Sequence, residues 1–268
     1  MSEAREAIPV QRPWMPVLQK IGVPVISAAL AIAIGSIIVW ISGYDAAAAF
    51  SALFKGAFGG PKQIGDTILR ATPLIFTGLA VGYGFRAGLF NIGAEGQLFM
   101  GGLAAASLGV FLVGQPWFLV VPVLVVASAL AGAAWAFVPA LLKARIGAHE
   151  VITTMMFTYI GRYIVSWLVV GPLKDEGMIP QTVALAPEAQ LPRIQSLFSA
   201  DTLDALPFLA LGRAHMGIVI AIVVAVVVWL ILKYTTLGYE NRAVGFNPYA
   251  SETAGISVQW TTVKALCI

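Results

Sequence analysis

Residues 216–232, MGIVIAIVVAVVVWLIL, form a run of seventeen residues without a charge, apolar on every side of any helix they build. A helix that is apolar all round belongs in a lipid bilayer or deep inside a large core. At 1.5 Å per residue the run spans about 26 Å, close to the ~30 Å hydrocarbon core of a bilayer. The rest of the chain decides between the two. Only 11% of its 268 residues are charged and 59% are hydrophobic, with a mean hydropathy of +0.87. A soluble domain carries about 25% charged residues. The chain reads as an all-α, polytopic transmembrane bundle.

Other apolar runs follow the same logic. Ile21 to Tyr44 is uncharged and follows Arg5, Arg12 and Lys20. It is longer than the about 7–15 residues of a secretory apolar region, so an uncleaved first span is expected over 21–41. Residues 46–58 are short and contain Lys55, which predicts an interfacial helix. Residues 71–85 lie between Arg70 and Arg86 and include Pro73, Gly78, Gly82 and Gly84. As a helix they reach only about 22 Å, too short to cross alone. Further spans are expected at 97–113, 117–142, 151–170 and 216–232, and a last segment begins near Thr261 and stops at Ile268. The expectation is six complete spans and the start of a seventh, in one domain over residues 1–268.

Basic residues orient the bundle. With the N-terminus inside, the tail 1–20 and segments 86–96, 143–150 and 233–264 hold nine Lys and Arg; the outer segments hold six, three of them in the long loop 171–213. An excess of Lys and Arg marks the cytoplasmic side. The net charge of +3 fits loops facing anionic lipid and calls for no nucleic-acid partner. The single cysteine, Cys267, excludes an intrachain disulfide, and His149 and His215 are too far apart in sequence to support a metal site. The outer loop, with Pro180, Pro187, Pro192 and Pro207, suits a docking surface.

Three stretches carry polar chemistry. In GLFNIGAEGQ, residues 88–97, Asn91, Glu95 and Gln97 sit among Gly88, Gly93 and Gly96. A carboxylate at membrane depth faces protein or a water-filled cavity. Non-helical backbone is tolerated there only in the same surroundings, and a short, glycine-interrupted span beside it points to a transporter's binding site. The competing reading is a plain turn with Glu95 in solvent. In KARIGAHEVITTMMFTYIGRY, residues 143–163, Glu150, Thr153 and Thr154 open a span, where an acidic group either suits the helix N-terminus or faces the path. Arg162 lies about 17 Å into that span and must pair internally or snorkel outward. In LGYENRAVGFNPYASETAGI, residues 237–256 within the inner loop 234–260, Asn247 caps a helix that Pro248 begins and Gly255 ends. Its small residues Ala250 and Ala254 suit close approach to another protein; the alternative is an amphipathic surface turn.

Together, FRAGLFNIGAEGQ, HEVITTMMFTYI, GPLKD and LGYENRAVGFNPYASETAGI resemble, in order and spacing, the permease subunits of ATP-binding-cassette importers of the branched-chain amino acid and ribose type, in particular their nucleoside-uptake branch. The likeness runs from about Tyr44 to the last residue. It implies a permease in a bacterial inner membrane, without catalytic residues or a cofactor. Its implied partners are a second permease subunit, an ATP-binding subunit and an extracytoplasmic substrate-binding lipoprotein. It also implies a substrate path lined by Asn91, Glu95, Gln97, Glu150, Thr153 and Thr154. Arg242, Asn247, Pro248, Ala250, Ala254 and Gly255 become the cytoplasmic coupling helix on the ATPase. The family has asparagines where His149 and Thr158 stand, commonly a small or basic residue where Glu252 stands, and no motif that contains Arg162. It also continues beyond the last residue of this chain, so a truncated seventh span is expected. Two other readings remain open: a proton-driven carrier with Glu95 as the titrating group and Arg162 as its modulator, and a membrane scaffold. Substrates related to nucleosides, a sugar or a branched-chain amino acid, are equally compatible with these residues.

Overall fold

The structure is a computed structural model that describes residues 15–268; residues 1–14 of the expected N-terminal tail lie outside the described residues. After helix α1 (Met15–Ile41), the Asp45 side chain accepts from the backbone N–H groups of Ala47 and Ala48 and starts α2 (Ala46–Phe58). Pro61 sits in the first turn of α3 (Pro61–Arg86). Then come α4 (Ala94–Gly109), α5 (Trp117–Ile146) and α6 (Glu150–Val170). The long loop 171–213 is built from short 3-10 turns and α7 (Ala200–Ala205). The chain ends with α8 (Gly217–Tyr234), α9 (Thr236–Phe246), α10 (Pro248–Thr253) and α11 (Val258–Cys267). Among the described residues there is no strand, only isolated bridges between Lys174 and Thr182 and between Arg193 and His215.

Four helical stretches are long and apolar enough to cross a membrane: Ile21–Ile41, Pro61–Arg86, Trp117–Ile146 and Gly217–Tyr234. One of them departs from the sequence expectation. Residues 71–85 are not a short isolated piece, because the helix begins ten residues earlier at Pro61 and runs through Arg70 and Pro73. Lys62, Asp66 and Arg70 occupy its first turns, where long charged side chains reach polar surroundings without ending a helix. The next helix starts at Ala94 rather than 97, and α11 starts at Val258 rather than near Thr261, its N-terminus capped by the Ser257 hydroxyl.

Helix α4 packs between α5 and α6, α11 lies on α5, and α8 lies on α3. One end of the bundle holds a core of Tyr83, Ala87, Leu89, Ala140, Val263 and Leu266, with Ile231 and Leu232 against it. At the opposite end the long loop folds back, placing Leu185 on Gly109 and the Leu211 backbone on Gly65. Successive helices therefore alternate in direction. The connections 87–93, 147–149 and 235–257 gather at one end and the long loop covers the other. Helix α1 touches little but α2 and buries none of its span, as a lipid-facing helix would.

Candidate functional site

The stretch 87–93 turns at Ala87 and Gly88 (φ +74°), is non-helical over 89–92 and turns again at Gly93, and its residues alternate: Ala87, Leu89, Asn91 and Gly93 are buried while Gly88, Phe90 and Ile92 are exposed. Asn91 holds it in place. Its Oδ1 accepts from the Gly93 N–H at 2.9 Å, and its Nδ2 donates to Gln97 Oε1 at 3.3 Å. Gln97 Nε2 in turn donates to the Leu266 carbonyl at 2.9 Å, tying α4 to α11. A narrow recess forms around these groups, lined by Asn91, Gln97, Trp135, Thr154, Phe157 and Leu266. A side chain has no room at Gly96, where a Cβ would stand 2.9 Å from the Thr158 Cα. Gly93 lies against Thr154 in the same way, so α4 starts beside the second and third turns of α6, about 6–12 Å beyond that helix's own start. The connection 87–93 thus climbs from Gly245 of α9, beside Ala87 and Gly88, to Thr154 of α6, where α4 begins.

Glu95 does not join that recess. It points along the outer face shared by α4 and α6, where its Oε1 accepts from Arg162 Nη2 at 2.8 Å. The two side chains are 51% and 54% exposed. Helical side chains lean toward the N-terminus, so Arg162 reaches back down α6 to the start of α4. Its guanidinium also sits 5.7 Å from the centre of the Phe99 ring. Of the two fates open to Arg162 in the sequence, internal pairing is the one realised.

The remaining candidates separate. Glu150 is bound to Lys143 at 2.8 Å, joining the end of α5 to the start of α6. The Thr153 and Thr154 hydroxyls donate to carbonyls one turn back, at Glu150 and Val151. Only Asn91, Gln97 and Thr154 of the six meet in one place.

On α10, the Asn247 side chain accepts from the Ala250 N–H at 3.1 Å, with Pro248 in the first turn. At the other end Gly255 has φ +84°. Its N–H donates to the Glu252 carbonyl, and that of Ile256 donates to the Ser251 carbonyl, so the turn closes with a paired terminal motif. Ala250 and Ala254 are exposed, as are Phe246 (90%) and Tyr249 (83%), while Arg242 is half-buried on α9.

Several residues that shape these places carry no local signal. Trp135 donates its indole N–H to the Phe157 carbonyl at 3.2 Å, but in the sequence it is one aromatic in a thirty-residue apolar helix. Asn241 is buried and donates to the Tyr83 carbonyl at 3.1 Å, locking α9 to α3. Among the described residues no three His, Cys, Asp or Glu side chains gather to hold a metal ion.

Comparison with known proteins places this geometry. The chain is 39% identical over 250 residues to the guanosine ABC transporter permease protein of Bacillus subtilis, covering 92% of this chain and 67% of that one. It is 33% identical over 237 residues to the glucose ABC transporter permease protein of Haloferax volcanii (88% of this chain, 61% of that one). It is 31% identical over 250 residues to a nucleoside ABC transporter permease protein of Lactococcus lactis (93% and 67%). The chain therefore spans about two thirds of the length of these relatives. No solved structure matches it. The family described as branched-chain amino acid transport system / permease component matches residues 63–268, and the chain belongs to that family of membrane proteins.

Proposed function

We propose that the chain is the membrane-spanning permease subunit of an ATP-driven importer of nucleosides, moving its substrate by alternating access. Two of the relatives above are named for guanosine or nucleosides, which favours that substrate class. The observation that carries the mechanism is α10: a short helix fixed at both ends by its own sequence, exposed on its outer face, at the end where the inter-helix connections gather. A helix ordered before its partner arrives loses little entropy on docking. It serves as the coupling helix for a separate ATP-hydrolysing subunit, with Arg242, Asn247, Pro248, Ala250, Ala254 and Gly255 forming or positioning it. Its end of the bundle is cytoplasmic, because the basic segments lie there.

Six spans follow from this orientation. Helix α4 has 16 residues, about 24 Å, and the climb of 87–93 supplies the missing depth. Its non-helical backbone lies against protein through the buried Ala87, Leu89, Asn91 and Gly93, and such backbone is tolerated in a bilayer where protein or a cavity borders it. Helix α6 crosses with Arg162 paired to Glu95. Within the path, Asn91, Gln97 and Thr154 fix the wall from behind, Glu150 with Lys143 and Thr153 shape its inner mouth, and Glu95 faces the substrate. The loop 171–213 receives the external binding lipoprotein, and a second permease subunit completes the pathway in the bacterial inner membrane.

Reconstitution of the complete complex in proteoliposomes tests this. ATP-dependent uptake of radiolabelled nucleoside, lost when the ATP-binding subunit is omitted, is the expected result. Uptake that persists without that subunit and follows a proton gradient overturns it in favour of a secondary carrier. A sugar is the second reading, favoured by the Haloferax volcanii relative. Uptake of glucose with no uptake of any nucleoside would select it.

A further inference from the structure

We propose that Arg162 and Glu95 together read the base of the transported nucleoside, and that the base they fit is a purine with the edge of guanine; the inference rests on the nucleoside reading above. The pair stands on the outer face of α4 and α6, with Arg162 twelve residues after the first residue of α6, about 18 Å along it. Charges at that depth facing lipid are costly even when paired. Both side chains are nonetheless half exposed. The face they share therefore fronts something polar and not lipid, and we read it as water or a polar ligand.

The chemistry of the pair is specific. A single hydrogen bond joins Arg162 Nη2 to Glu95 Oε1 at 2.8 Å, which leaves Glu95 Oε2 as an acceptor and the rest of the guanidinium fork as donors, side by side. Guanine offers the complement in one plane: O6 and N7 accept, and the neighbouring ring N–H and amino group donate. The guanidinium fork matches O6 and N7, and Glu95 Oε2 accepts from the adjoining ring N–H. Uracil has one ring donor between two acceptors, so it can meet Oε2 but leaves one arm of the fork unmet. An aromatic wall stands beside the pair. The Phe99 ring lies 5.7 Å from the guanidinium, and Tyr159 is exposed on α6 one turn before Arg162. Planar bases stack on such rings.

The test is uptake by the complete complex in proteoliposomes, native and variant, with guanosine, adenosine and uridine each supplied through the same binding protein. Because delivery is common to all, the ratio of variant to native uptake for each nucleoside reports the permease alone. Arg162→Gln raises the half-saturating concentration of guanosine by about tenfold or more, as loss of a bidentate base contact does. Uridine changes far less. Arg162→Lys keeps the charge and loses the fork, so it shows the same selectivity change with insertion intact; it decides the matter if Arg162→Gln does not insert. Exchanging the charges in the double variant Glu95→Arg, Arg162→Glu restores the pair and does not restore guanosine preference. A native complex that carries no nucleoside overturns the functional reading and this inference with it. If the native complex carries nucleosides and Arg162→Lys slows guanosine and uridine alike, or neither, only this inference falls, and the pair is a strut between helices or between subunits.

Discussion

Two connections interrupt helices at the same end of the molecule and are held in opposite ways. Residues 87–93 are buried on alternate side chains and packed on groups far away in sequence: Gly93 on Thr154, Gly88 on Gly245, and Ala87 and Leu89 in one cluster with Val263 and Leu266. The turn around α10 is exposed and pinned by itself: Asn247 at its start, Gly255 at its end, and backbone bonds between them. A segment held by tertiary contacts is rigid only when the whole bundle is assembled. A segment held by its own caps keeps its shape while the bundle moves, which suits an element that must transmit motion to another protein.

The largest expected difference lies in close packing. Gly96→Val drives a side chain into the α6 backbone at Thr158. We expect a loss of about 2–3 kcal/mol, as overpacking gives, and a matching fall in thermal stability in detergent. Gly255→Ala, at positive φ but with open space around it, costs about 1 kcal/mol. Equal losses would break the contrast. Next come the two asparagines. Asn91→Ala strands the Gly93 N–H and the Gln97 side chain, at about 1–3 kcal/mol. Asn247→Ala removes an exposed cap, at about 1 kcal/mol. A larger cost for Asn247 would mean that α10 is not self-supporting.

Smaller still on stability is Ala250→Glu, an exposed change expected within about 0.5 kcal/mol, while co-purification of the ATP-binding subunit and coupled uptake are lost. Normal retention of that subunit would remove α10 as the docking element. The smallest effect is at the opposite end of the bundle. The Gly217 N–H donates to His215 Nδ1 at 3.0 Å, a bond only the unprotonated nitrogen accepts. Burial pushes the His215 imidazole below its ordinary value of 6.5. Its contribution is therefore fully present above about pH 6.5, the unfolded value, and is lost as pH falls through the lower folded value. Thermal melts from neutral to mildly acid pH should show this slope, and His215→Asn, which retains an acceptor that does not titrate, should flatten it. An unchanged slope in that variant assigns the effect to other groups.

The same contrast explains what the sequence disclosed. The caps of α10 were legible because Asn247, Pro248 and Gly255 act within eight residues of each other. The break between α3 and α4 was legible from its glycines. Arg70 ends the apolar run but not the helix, since a charge interrupts hydropathy without interrupting backbone hydrogen bonds. The partner of Arg162 was hidden because Glu95 lies 67 residues away and meets it only when α4 and α6 align. The recess behind Asn91 was hidden for the same reason: Trp135, Phe157 and Leu266 come from three helices and differ in no local way from their apolar neighbours.

The central claim is that the α4–α6 face bearing Glu95 and Arg162 borders water and not lipid. The most direct measurement is labelling of single cysteines by a membrane-impermeant thiol reagent, in the complete complex with Cys267 replaced by serine. Tyr159 on that face and Val226 on α8 are about equally exposed in the isolated chain, 54% and 49%, so only their surroundings differ. We expect Tyr159→Cys to react, and to be protected by substrate during turnover, while Val226→Cys does not react. A Tyr159→Cys variant as inert as Val226→Cys would contradict the claim and place the face in lipid.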